Sequence, residues 1–540
     1  VDEAHCVSDW GHDFRPDYRR VSDVLQRLNP DTPVLATTAT ANARVTDDVA
    51  TQLGDETLVL RGPLARSSLE LSVVDRLSPL ERYAWVVDHL PTLPGSGIVY
   101  CLTVGDTDRV AGWLQANGID ARAYSGRTDP AERLEIEDAL RADQVKVVVA
   151  TSALGMGFDK SDLAFVVHFQ SPDSPVTYYQ QIGRAGRALD RAEVVLLCGA
   201  EDRSIWEWFA STAFPPRDQV ATVLGALEAA GGPMSTGLLE EVANLSRSRL
   251  ELMLKVLDVE GAVRRAAKGW ERTDTTWTYD AERHLRVAAA RRAEQAAMLD
   301  YASTDRCLMA YLRGQLDDLE PTQCGRCANC TGHRPSARVS PALAAEAQRF
   351  LAGQDLVLHP RLQWPQGIPK LRGRIVEQLR VQPGRALATL GGPGWGPVVR
   401  ELLAADGPVP DELADAVVRV LGRWDWAERP AWVTLVPSRR HPKLVGDLAE
   451  RIAEVGRLPL HHLLERTRDD PPQLEMANSA HQCRNVHGAF TVTGPVPPGG
   501  VLLVDDTADS KWTLTVVGAR LRQAGAGPVY PLVLLRRGAD

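Results

Sequence analysis

The chain has 540 residues, of which 44% are hydrophobic and 24% are charged, and its formal net charge is −9. One hydrophobic core rarely serves a chain of this length, so several domains are expected. No apolar run approaches the roughly 20 residues of a membrane helix, and no basic segment precedes an apolar one, so neither a membrane span nor secretion is indicated. The net charge alone does not indicate a nucleic-acid partner, although local basic surface would be sufficient for one.

Two adjacent carboxylates, Asp2 and Glu3, stand near the first residue. In a nucleoside triphosphate hydrolase, Asp2 would hold Mg²⁺ through its water shell and Glu3 would orient and deprotonate the attacking water. The short run Asp-Glu-Ala-His5 would by itself equally fit an exposed acidic turn. The loop that follows has side chains that can stack on bases and contact phosphate, which favours the hydrolase interpretation. These loop residues are Trp10, His12, Phe14 and Arg15.

From about residue 67, strand-like and helix-like segments alternate, a pattern typical of an α/β fold with a parallel sheet. Strands are predicted at 97–101 and 146–150, with an amphipathic helix at about 108–117. The segment Thr151-Ser-Ala-Leu-Gly-Met-Gly-Phe-Asp159 follows the second of these strands. Its two glycines would permit close backbone approach to a phosphate group.

The segment Tyr178-Tyr-Gln-Gln-Ile-Gly-Arg-Ala-Gly-Arg187 carries two arginines at a spacing of one helical turn. Arg184 and Arg187 are therefore expected on one face of a helix. An arginine pair at this spacing is usually a solvated face. The order of the segments across residues 1–187, which include the small-residue run Leu35-Ala-Thr-Thr-Ala-Thr-Ala41, instead favours a nucleotide site.

The string D-E-A-H-C-x-S-x-W-G-H-D-F-R-P-x-Y at residues 2–18 resembles the RecQ helicase family, and the later segments resemble its motifs in order. The resemblance implies ATP-dependent, 3′-to-5′ unwinding of DNA in repair and recombination, with ATP and Mg²⁺ as cofactors and single-strand/duplex junctions as partners. It implies that Arg187 neutralises charge on the transferring γ-phosphate beside Arg184. The other implied site residues are His5 and Gln180 in catalysis, Gly155, Gly157 and Asp159 at the nucleotide, and Thr103 and Thr151 at DNA.

Two features depart from that family. Cys101-Leu-Thr-Val stands where the family usually has Asn-Ser-Arg, so Thr103 is expected to contact a phosphate, while the family's arginine, which usually contacts DNA, has no counterpart at this position. A phosphate-binding loop needs G-x-x-x-x-G-K-[ST], and no Gly-Lys pair occurs in the sequence. We therefore expect a fragment that begins inside its motor, with this loop ahead of Val1. Negligible ATP hydrolysis by the 540 residues alone is the corresponding expectation.

A winged helix is predicted after the second motor segment. Helical periodicity covers 218–229, a second helix begins after Ser235, and a third follows Ser246, with both serines as plausible N-caps. A basic β-hairpin is then predicted at 261–270, which completes the winged-helix order. The alternative is a small helical packing domain with incidental arginines. The candidate phosphate contacts are Arg247, Arg249, Arg264, Arg265 and Lys268.

A helix is predicted at about 280–301, and it leads into a cysteine cluster spaced C-x16-C-x2-C-x2-C. Thiolates two residues apart close a tight turn around Zn²⁺, and the fourth ligand is expected from the preceding helix. An iron–sulfur cluster is the alternative. The spacing resembles the RecQ zinc module, in which the role would be structural. The metal ligands would be Cys307, Cys324, Cys327 and Cys330.

The last hundred or so residues resemble a different enzyme class. Val501-Leu-Leu-Val-Asp-Asp-Thr-Ala-Asp-Ser-Lys-Trp-Thr513 resembles the type I phosphoribosyltransferases, and 436–440 and 484–490 resemble their ComF-like members. The resemblance implies that the two acids take ribose hydroxyls and that the turn takes the 5′-phosphate of phosphoribosyl pyrophosphate. Lys511 replaces the usual Gly, which leaves three interpretations: a transferase, a domain that only binds the ligand or a 5′-phosphate, and a structural remnant. We favour binding without turnover. The implied site residues are Asp505, Asp506, Ser510 and Thr513.

The predicted fold class is a multidomain α/β protein, and the favoured function is a RecQ-type DNA helicase. The alternatives are a non-motor DNA-binding and ligand-sensing module, and a phosphoribosyltransferase joined to a helicase remnant. Excess arginine and isolated thiols fit a bacterial, reducing cytoplasm, so a nucleoid-associated location is expected; the oligomeric state is not predicted. The expected domains are an incomplete first RecA-like lobe at 1–66, a second lobe at 67–210, a winged helix at 211–282, a zinc-binding helical hairpin at 283–333, a linker at 334–350 and a phosphoribosyltransferase-like domain at 351–540.

Overall fold

The computed structural model divides into two compact units. Unit 1 comprises Val1–Phe214, Lys255–Ala262 and Thr275–Ala347, and unit 2 comprises Pro215–Leu254, Val263–Asp274 and Gln348–Asp540. The predicted base-stacking residues Trp10, His12, Phe14 and Arg15 lie outside the described residues. The structure describes residues 1–7, 24, 27–29, 32–40, 42–54, 57–62, 64–74, 76–155, 157–211, 214–318, 321–368 and 371–537.

Helices and strands of the described residues are labelled in chain order. The helices are α1 (Ala43–Leu53), α2 (Pro79–His89), α3 (Val104–Ala116), α4 (Pro130–Arg141), α5 (Pro175–Ile182), α6 (Asp202–Ser211), α7 (Arg217–Ala230), α8 (Thr236–Val242), α9 (Arg247–Val259), α10 (Ala281–Ser303), α11 (Leu308–Gln315), α12 (Ala328–Thr331), α13 (Pro341–Ala352), α14 (Gly396–Ala405), α15 (Asp411–Arg423), α16 (Pro442–Gly456), α17 (Ser479–Val486) and α18 (Trp512–Gln523). The strands are β1 (Leu69–Val74), β2 (Gly97–Tyr100), β3 (Ala121–Tyr124), β4 (Val147–Ala150), β5 (Phe165–His168), β6 (Ala192–Leu197), β7 (Val263–Ala266), β8 (Gly269–Arg272), β9 (Leu356–Leu358), β10 (Gly384–Thr389), β11 (Pro430–Leu435), β12 (Leu464–Arg466), β13 (Phe490–Val492), β14 (Gly500–Ala508) and β15 (Val529–Arg536).

Unit 1 is built on a six-stranded sheet in the order β1-β6-β5-β2-β4-β3, with every pair parallel. All residues of β2, β4 and β5 are buried, as expected for parallel strands covered on both faces. The prediction of a parallel α/β sheet from about residue 67 is confirmed. The carboxyl ends of β2 and β4 meet at one edge, where the amide of Cys101 donates to the carbonyl of Ala150 over 2.8 Å.

Local signals explain where the helices of unit 1 begin and end. Ser78 and Glu81 form a capping box at the start of α2, which satisfies two amides of the first turn. Helix α5 ends at Ile182 because Gly183 caps it and Gly186 takes a φ of 64°. The prediction that Arg184 and Arg187 share one face of a helix is therefore wrong, since both lie in the turn beyond the helix end.

Two helices after residue 280 pack on the sheet domain of unit 1. Tyr301 of α10 is fully buried, and its ring centroid lies 5.2 Å from that of Tyr178 in α5 and 5.7 Å from that of Tyr311 in α11. Helix α13 covers part of the segment predicted as a linker at 334–350, because its Ala-rich sequence favours helix. Upstream of it, the indole of Trp85 donates to the carbonyl of Ser336 over 2.9 Å.

Unit 2 begins with helices α7, α8 and the first turns of α9, followed by the antiparallel hairpin β7–β8. The predicted N-cap of the second helix is confirmed, since the Ser235 hydroxyl accepts from the amide of Leu238. Met234 and Trp270 exchange backbone hydrogen bonds of 2.8 Å in both directions, which ties the segment before α8 to the hairpin. The order of elements is the predicted one, and the assignment as a winged helix stays a prediction.

The rest of unit 2 surrounds a five-stranded sheet in the order β11-β14-β15-β10-β9, in which β9 alone runs antiparallel to its neighbour among the strands described. Side chains of β14 alternate between two cores: Val501 and Leu503 pack in one, Leu502 and Val504 in the other. Strand β14 continues to Ala508, so the predicted acidic pair lies within the strand. Within the described residues, no helix combines the length and apolarity that crossing a bilayer requires.

Candidate functional site

The acidic pair near residue 1 lies beside the Thr-Ala-Thr segment. The Thr37 hydroxyl donates to Oδ1 of Asp2 over 2.8 Å, and this hydrogen bond lowers the pKa of Asp2. His5 is fully buried, with Nδ1 3.0 Å from the Thr38 hydroxyl and 3.2 Å from Oε2 of Glu3. The structure thus brings three predicted site residues into one cluster with Thr37 and Thr38 of the small-residue run.

The two predicted arginines converge on the loop after β4. Nη1 of Arg184 donates to the carbonyl of Phe158 over 3.0 Å, and Nη1 of Arg187 donates to Oδ1 of Asp159 over 2.9 Å. Arg184 is 8% exposed, whereas the Arg187 side chain is 39% exposed and can reach a ligand. Gly157 takes a φ of 86°, which a residue with a side chain rarely adopts. The two arginines and the loop therefore form one cluster. The helix that was predicted to carry the arginines ends before them, at Ile182.

A side chain at this edge that sequence reasoning missed is Gln181. Its Oε1 lies 2.7 Å from Nε2 of His168, which is buried between Tyr100 and Tyr178. Burial lowers the pKa of His168 to about 4, so the ring is neutral near pH 7. The prediction named the adjacent Gln180 instead, because only that residue matched the family pattern. The contact with His168 at the end of β5 gave no local sequence signal.

The two threonines predicted at DNA are held by local hydrogen bonds. Thr103 caps α3, accepting from the amide of Asp106 over 3.1 Å and donating to its carboxylate over 2.7 Å. Thr151 accepts from the amide of Ala153 over 3.3 Å. Gln170 joins the first group by donating to the carboxylate of Asp106 over 3.0 Å. Thr151 directly follows β4 and Thr103 stands three positions after the end of β2, so both lie at the same edge of the sheet.

The four predicted metal ligands form one cluster. Their ligand atoms all lie within 4.8 Å of one another. In a tetrahedral Zn²⁺ site with Zn–S bonds of about 2.3 Å, sulfur atoms are about 3.8 Å apart. The Sγ of Cys327 lies 3.9 Å from that of Cys307 and 3.5 Å from that of Cys330. The geometry fits Zn²⁺, with Cys324 as the fourth ligand.

Cys307 does not lie in the preceding helix, from which the fourth ligand was predicted. It is the N-cap of α11, after α10 has ended at Ser303, so the preceding helix does not carry it. Burial raises the pKa of Cys307, but amide hydrogen bonds from Cys324 and Ala310 outweigh this effect and lower the pKa to about 7. Amides directed at sulfur favour the thiolate that binds metal. The exposed His333 is outside the cluster among the residues described.

The predicted phosphate contacts of the hairpin region carry exposed guanidinium groups. Arg247 is 64% exposed and pairs with Glu251 over 3.0 Å. Arg264 is 71% exposed and pairs with Glu271 across the hairpin. Arg265 packs its guanidinium over the Trp270 ring at 5.1 Å. These arginines are held by carboxylates or an aromatic ring, and they stay predictions as DNA contacts, together with Arg249 and Lys268.

The acids of β14 have different surroundings. Burial and the adjacent charge of Asp506 raise the pKa of Asp505 well above its usual range. Asp506 accepts from the Ser438 hydroxyl over 2.8 Å, and its Oδ2 lies 2.9 Å from Nδ1 of His441. Burial and the neighbouring charge of Arg439 lower the pKa of Arg466. The buried Asp505 and the hydrogen-bonded Asp506 lie within β14. Two arginines accompany them, Arg466 at the end of β12 and Arg439 beyond the end of β11.

The turn after β14 has a left-handed residue at the start of α18. Lys511 is the N-cap with a φ of 66°, the conformation that glycine adopts most easily. Ser510 is 9% exposed, and its hydroxyl has no hydrogen-bond partner among the residues that the structure describes. Arg361 donates from Nε to the carbonyl of Ser510 over 2.9 Å. The half-buried Thr513 lies in the first turn of α18, so hydroxyls and amides gather at this helix N-terminus.

Known proteins match the chain most clearly over its first third. Residues 82–189 match the model of the helicase conserved C-terminal domain, which includes the loop at Asp159 and both arginines. Among solved structures, Saccharomyces cerevisiae Dbp5 bound to RNA and ADP BeF3 matches with a TM-score of 0.34 and 20% identity, over 39% of this chain and 55% of that one. A similarity this low assigns no function.

More specific similarities are to RecQ-type proteins. The ATP-dependent DNA helicase RecQ of Pasteurella multocida is 40% identical over 197 residues, which cover 36% of this chain and 31% of the relative. That of Bacillus subtilis is 30% identical over 359 residues, 65% of this chain and 47% of the relative. The chain thus spans between about a third and a half of these relatives. The chain is therefore similar to RecQ helicases over part of its length, and the C-terminal phosphoribosyltransferase-like assignment stays a prediction.

Proposed function

We propose that the chain is part of an ATP-dependent DNA helicase of RecQ type that unwinds DNA in the 3′-to-5′ direction during repair and recombination. The observation that carries the proposal is the convergence of Arg184 and Arg187 on the loop 158–159 at the carboxyl edge of a parallel sheet. Positive charges at such an edge can stabilise the charge that develops on a transferring phosphoryl group.

In the proposed mechanism, Asp2 and Glu3 supply the carboxylates of the ATP site. Asp2, whose carboxylate form is further favoured by the hydrogen bond from Thr37, would hold Mg²⁺ through water. Glu3 would orient and deprotonate the attacking water. Closure of two RecA-like lobes on ATP would bring Arg184 and Arg187 to the nucleotide that Asp2 and Glu3 contact. Reopening would move the lobes one step along a DNA strand.

The test is DNA-stimulated ATP hydrolysis and unwinding of a 3′-tailed duplex. Both are measured on the protein purified from the cells that make it. Unwinding of the 3′-tailed but not of a 5′-tailed duplex is expected. Absence of DNA-stimulated hydrolysis would contradict the proposal.

For the cysteine cluster we propose a structural Zn²⁺ site. Support comes from sulfur separations that suit tetrahedral thiolate coordination and from amides directed at the sulfurs. Bound Zn²⁺ would neutralise the thiolates and hold the short helices α11 and α12 together. In that role the metal takes no part in the chemistry of ATP.

A second function, binding of a phosphate-bearing ligand in unit 2, is favoured by the turn after β14. Lys511 already has the left-handed conformation of the glycine it replaces, and the buried Ser510 hydroxyl has no partner within the described part of the chain. We propose that Asp505, Asp506, Ser510 and Thr513 bind phosphoribosyl pyrophosphate without turnover. Calorimetry with this ligand and Mg²⁺ tests the proposal, and an absence of binding heat at millimolar ligand would contradict it.

A further inference from the structure

A short segment of unit 2, residues 361–368, touches the phosphate turn at one end; we refer to it as the connecting segment. Arg361 donates to the carbonyl of Ser510 over 2.9 Å, and its guanidinium lies 5.0 Å from the centroid of the Trp512 ring. Trp364 stacks on the same ring, with centroids 5.9 Å apart and planes inclined by 19°. Both sides of Lys511 are therefore fixed to the connecting segment.

The other end of the connecting segment lies against α8. A Cβ atom at Gly367 would collide with the carboxyl group of Glu241, and one at Gly237 would collide with the side-chain amide of Gln366. Gly367 has a φ of 77°, so a side chain there would also strain the backbone. Each of the two segments therefore packs a side chain against a glycine of the other, and a larger residue at either glycine would separate them.

Helix α8 is also fixed at its carboxyl end. The side-chain amide of Asn478 is buried and donates to the carbonyls of Glu240 and Ala243 over 2.9 and 2.8 Å. Asn244 donates to the carbonyl of Glu475 over 2.7 Å and accepts from the amide of Ala477 over 2.6 Å. Because Asn244 stands between α8 and α9, these bonds set the position from which α9 begins.

We propose that ligand binding at the turn 509–513 and DNA binding by the segment α8–α9 and hairpin β7–β8 are thermodynamically coupled through the connecting segment. The inference rests on the proposed function, which supplies both ligands. A ligand on the turn restrains the backbone of Ser510 and Trp512, and with it Arg361 and Trp364. Restraint of the connecting segment then lowers the conformational entropy that α8 loses when DNA binds.

Coupling of this kind is reciprocal. If phosphoribosyl pyrophosphate tightens DNA binding by a given factor, DNA must tighten binding of phosphoribosyl pyrophosphate by the same factor. We expect a factor of at least about five, the lower end of coupling between distinct sites. The coupling should be positive, because each ligand orders a segment that must also be ordered for the other ligand to bind.

The experiment uses the full 540-residue chain and a fluorescein-labelled 3′-tailed duplex with 5′-hydroxyl ends, so that no terminal DNA phosphate competes for the turn. Anisotropy gives the Kd for DNA without ligand, with phosphoribosyl pyrophosphate and Mg²⁺, and with inorganic phosphate. Calorimetry gives the reciprocal factor. Glu241→Ala removes the contact at Gly367 and keeps the backbone of α8, so the coupling factor should fall towards one while the Kd for phosphoribosyl pyrophosphate alone changes less than about twofold.

Glu228→Ala is the matched control, because it makes the same substitution on α7, at an exposed position. It should keep the coupling factor. Equal DNA affinity with and without bound ligand would overturn the coupling and leave both proposed binding functions standing. If the chain does not bind phosphoribosyl pyrophosphate, both the coupling and the phosphate-ligand proposal are wrong. If it does not bind DNA, both the coupling and the proposed DNA role of unit 2 are wrong.

Discussion

The guanidinium of Arg187 donates from Nη1 to Oδ1 of Asp159 over 2.9 Å. The two residues are 28 positions apart in sequence and meet at the edge of the sheet where β4 ends. An arginine that neutralises a γ-phosphate must exchange this carboxylate for the nucleotide. In this structure Asp159 therefore holds Arg187 beside the place where we propose that it contacts the γ-phosphate.

Replacement of Arg187 should abolish most ATP turnover in the protein as its cells make it. Removing an arginine that stabilises the transferring phosphoryl group lowers kcat by roughly 10³- to 10⁵-fold. Arg191→Ala is the control, because its side chain is 64% exposed and pairs with Glu70 on the surface. We expect Arg187→Ala to lose DNA-stimulated phosphate release and Arg191→Ala to keep it. Comparable rates in the two variants would exclude Arg187 from the chemistry.

The cysteine cluster should contain about one zinc per chain by elemental analysis. Cys327→Ser removes a fully buried ligand, so the variant should retain little zinc and unfold at lower temperature. Cys198→Ser is the control, since this thiol lies outside the cluster. Iron in place of zinc, with visible absorption, would replace the zinc proposal by the iron–sulfur alternative.

The motifs predict one site for Asp159, Arg184 and Arg187. The contacts of Arg184 with the Phe158 carbonyl and of Arg187 with Asp159 bring these residues together, and their roles at ATP stay predictions. Sequence reasoning placed the arginines on a helix, since their spacing is helical. It gave too little weight to Gly183 and Gly186, which end α5 before the arginines.

Buried polar partners could not be predicted in the same way. Arg82 has no motif around it, yet it is 1% exposed and donates to the carbonyl of Phe169 over 2.7 Å. Its partners Glu201 and Asp202 are more than a hundred residues away, so the ion pair depends on tertiary structure alone. The connecting segment 361–368 likewise has no periodicity that would reveal its contacts.

Arg82→Met should strongly destabilise unit 1. The substitution leaves Asp202 buried without its cation, and breaking a buried pair on one side costs roughly 3–5 kcal/mol of unfolding free energy. Burial already raises the pKa of Asp202, which shows how poorly its environment solvates the charge. Urea denaturation followed by tryptophan fluorescence measures the effect. The double variant Arg82→Met/Asp202→Asn should recover part of the loss, and equal stability of the single and double variants would contradict the account.

Lys511→Gly should stabilise unit 2 and weaken phosphate binding. Glycine removes a left-handed strain of about 1 kcal/mol. Arg457→Gly is a matched control, because Arg457 also has a positive φ, 51°, at the end of α16. Both variants should gain thermal stability. Since the Lys511 backbone already has the glycine conformation, we expect its charge to aid binding, so only Lys511→Gly should raise the Kd for phosphoribosyl pyrophosphate. A lower Kd would show that the side chain obstructs the turn.

His441 should make the stability of unit 2 depend on pH. The hydrogen bond to Asp506 raises the pKa of His441 above its ordinary 6.5, with burial opposing the rise; Asp406 adds to it and Arg440 opposes it. A histidine with a raised folded-state pKa contributes stability that is fully present below pH 6.5 and is lost as pH rises through the raised value. The difference in unfolding free energy between the native chain and His441→Gln should therefore shrink from pH 6 to pH 9. His333→Gln removes an exposed histidine and is the control. A difference that stays constant over this range would mean that the contact with Asp506 does not depend on the charge of the imidazole.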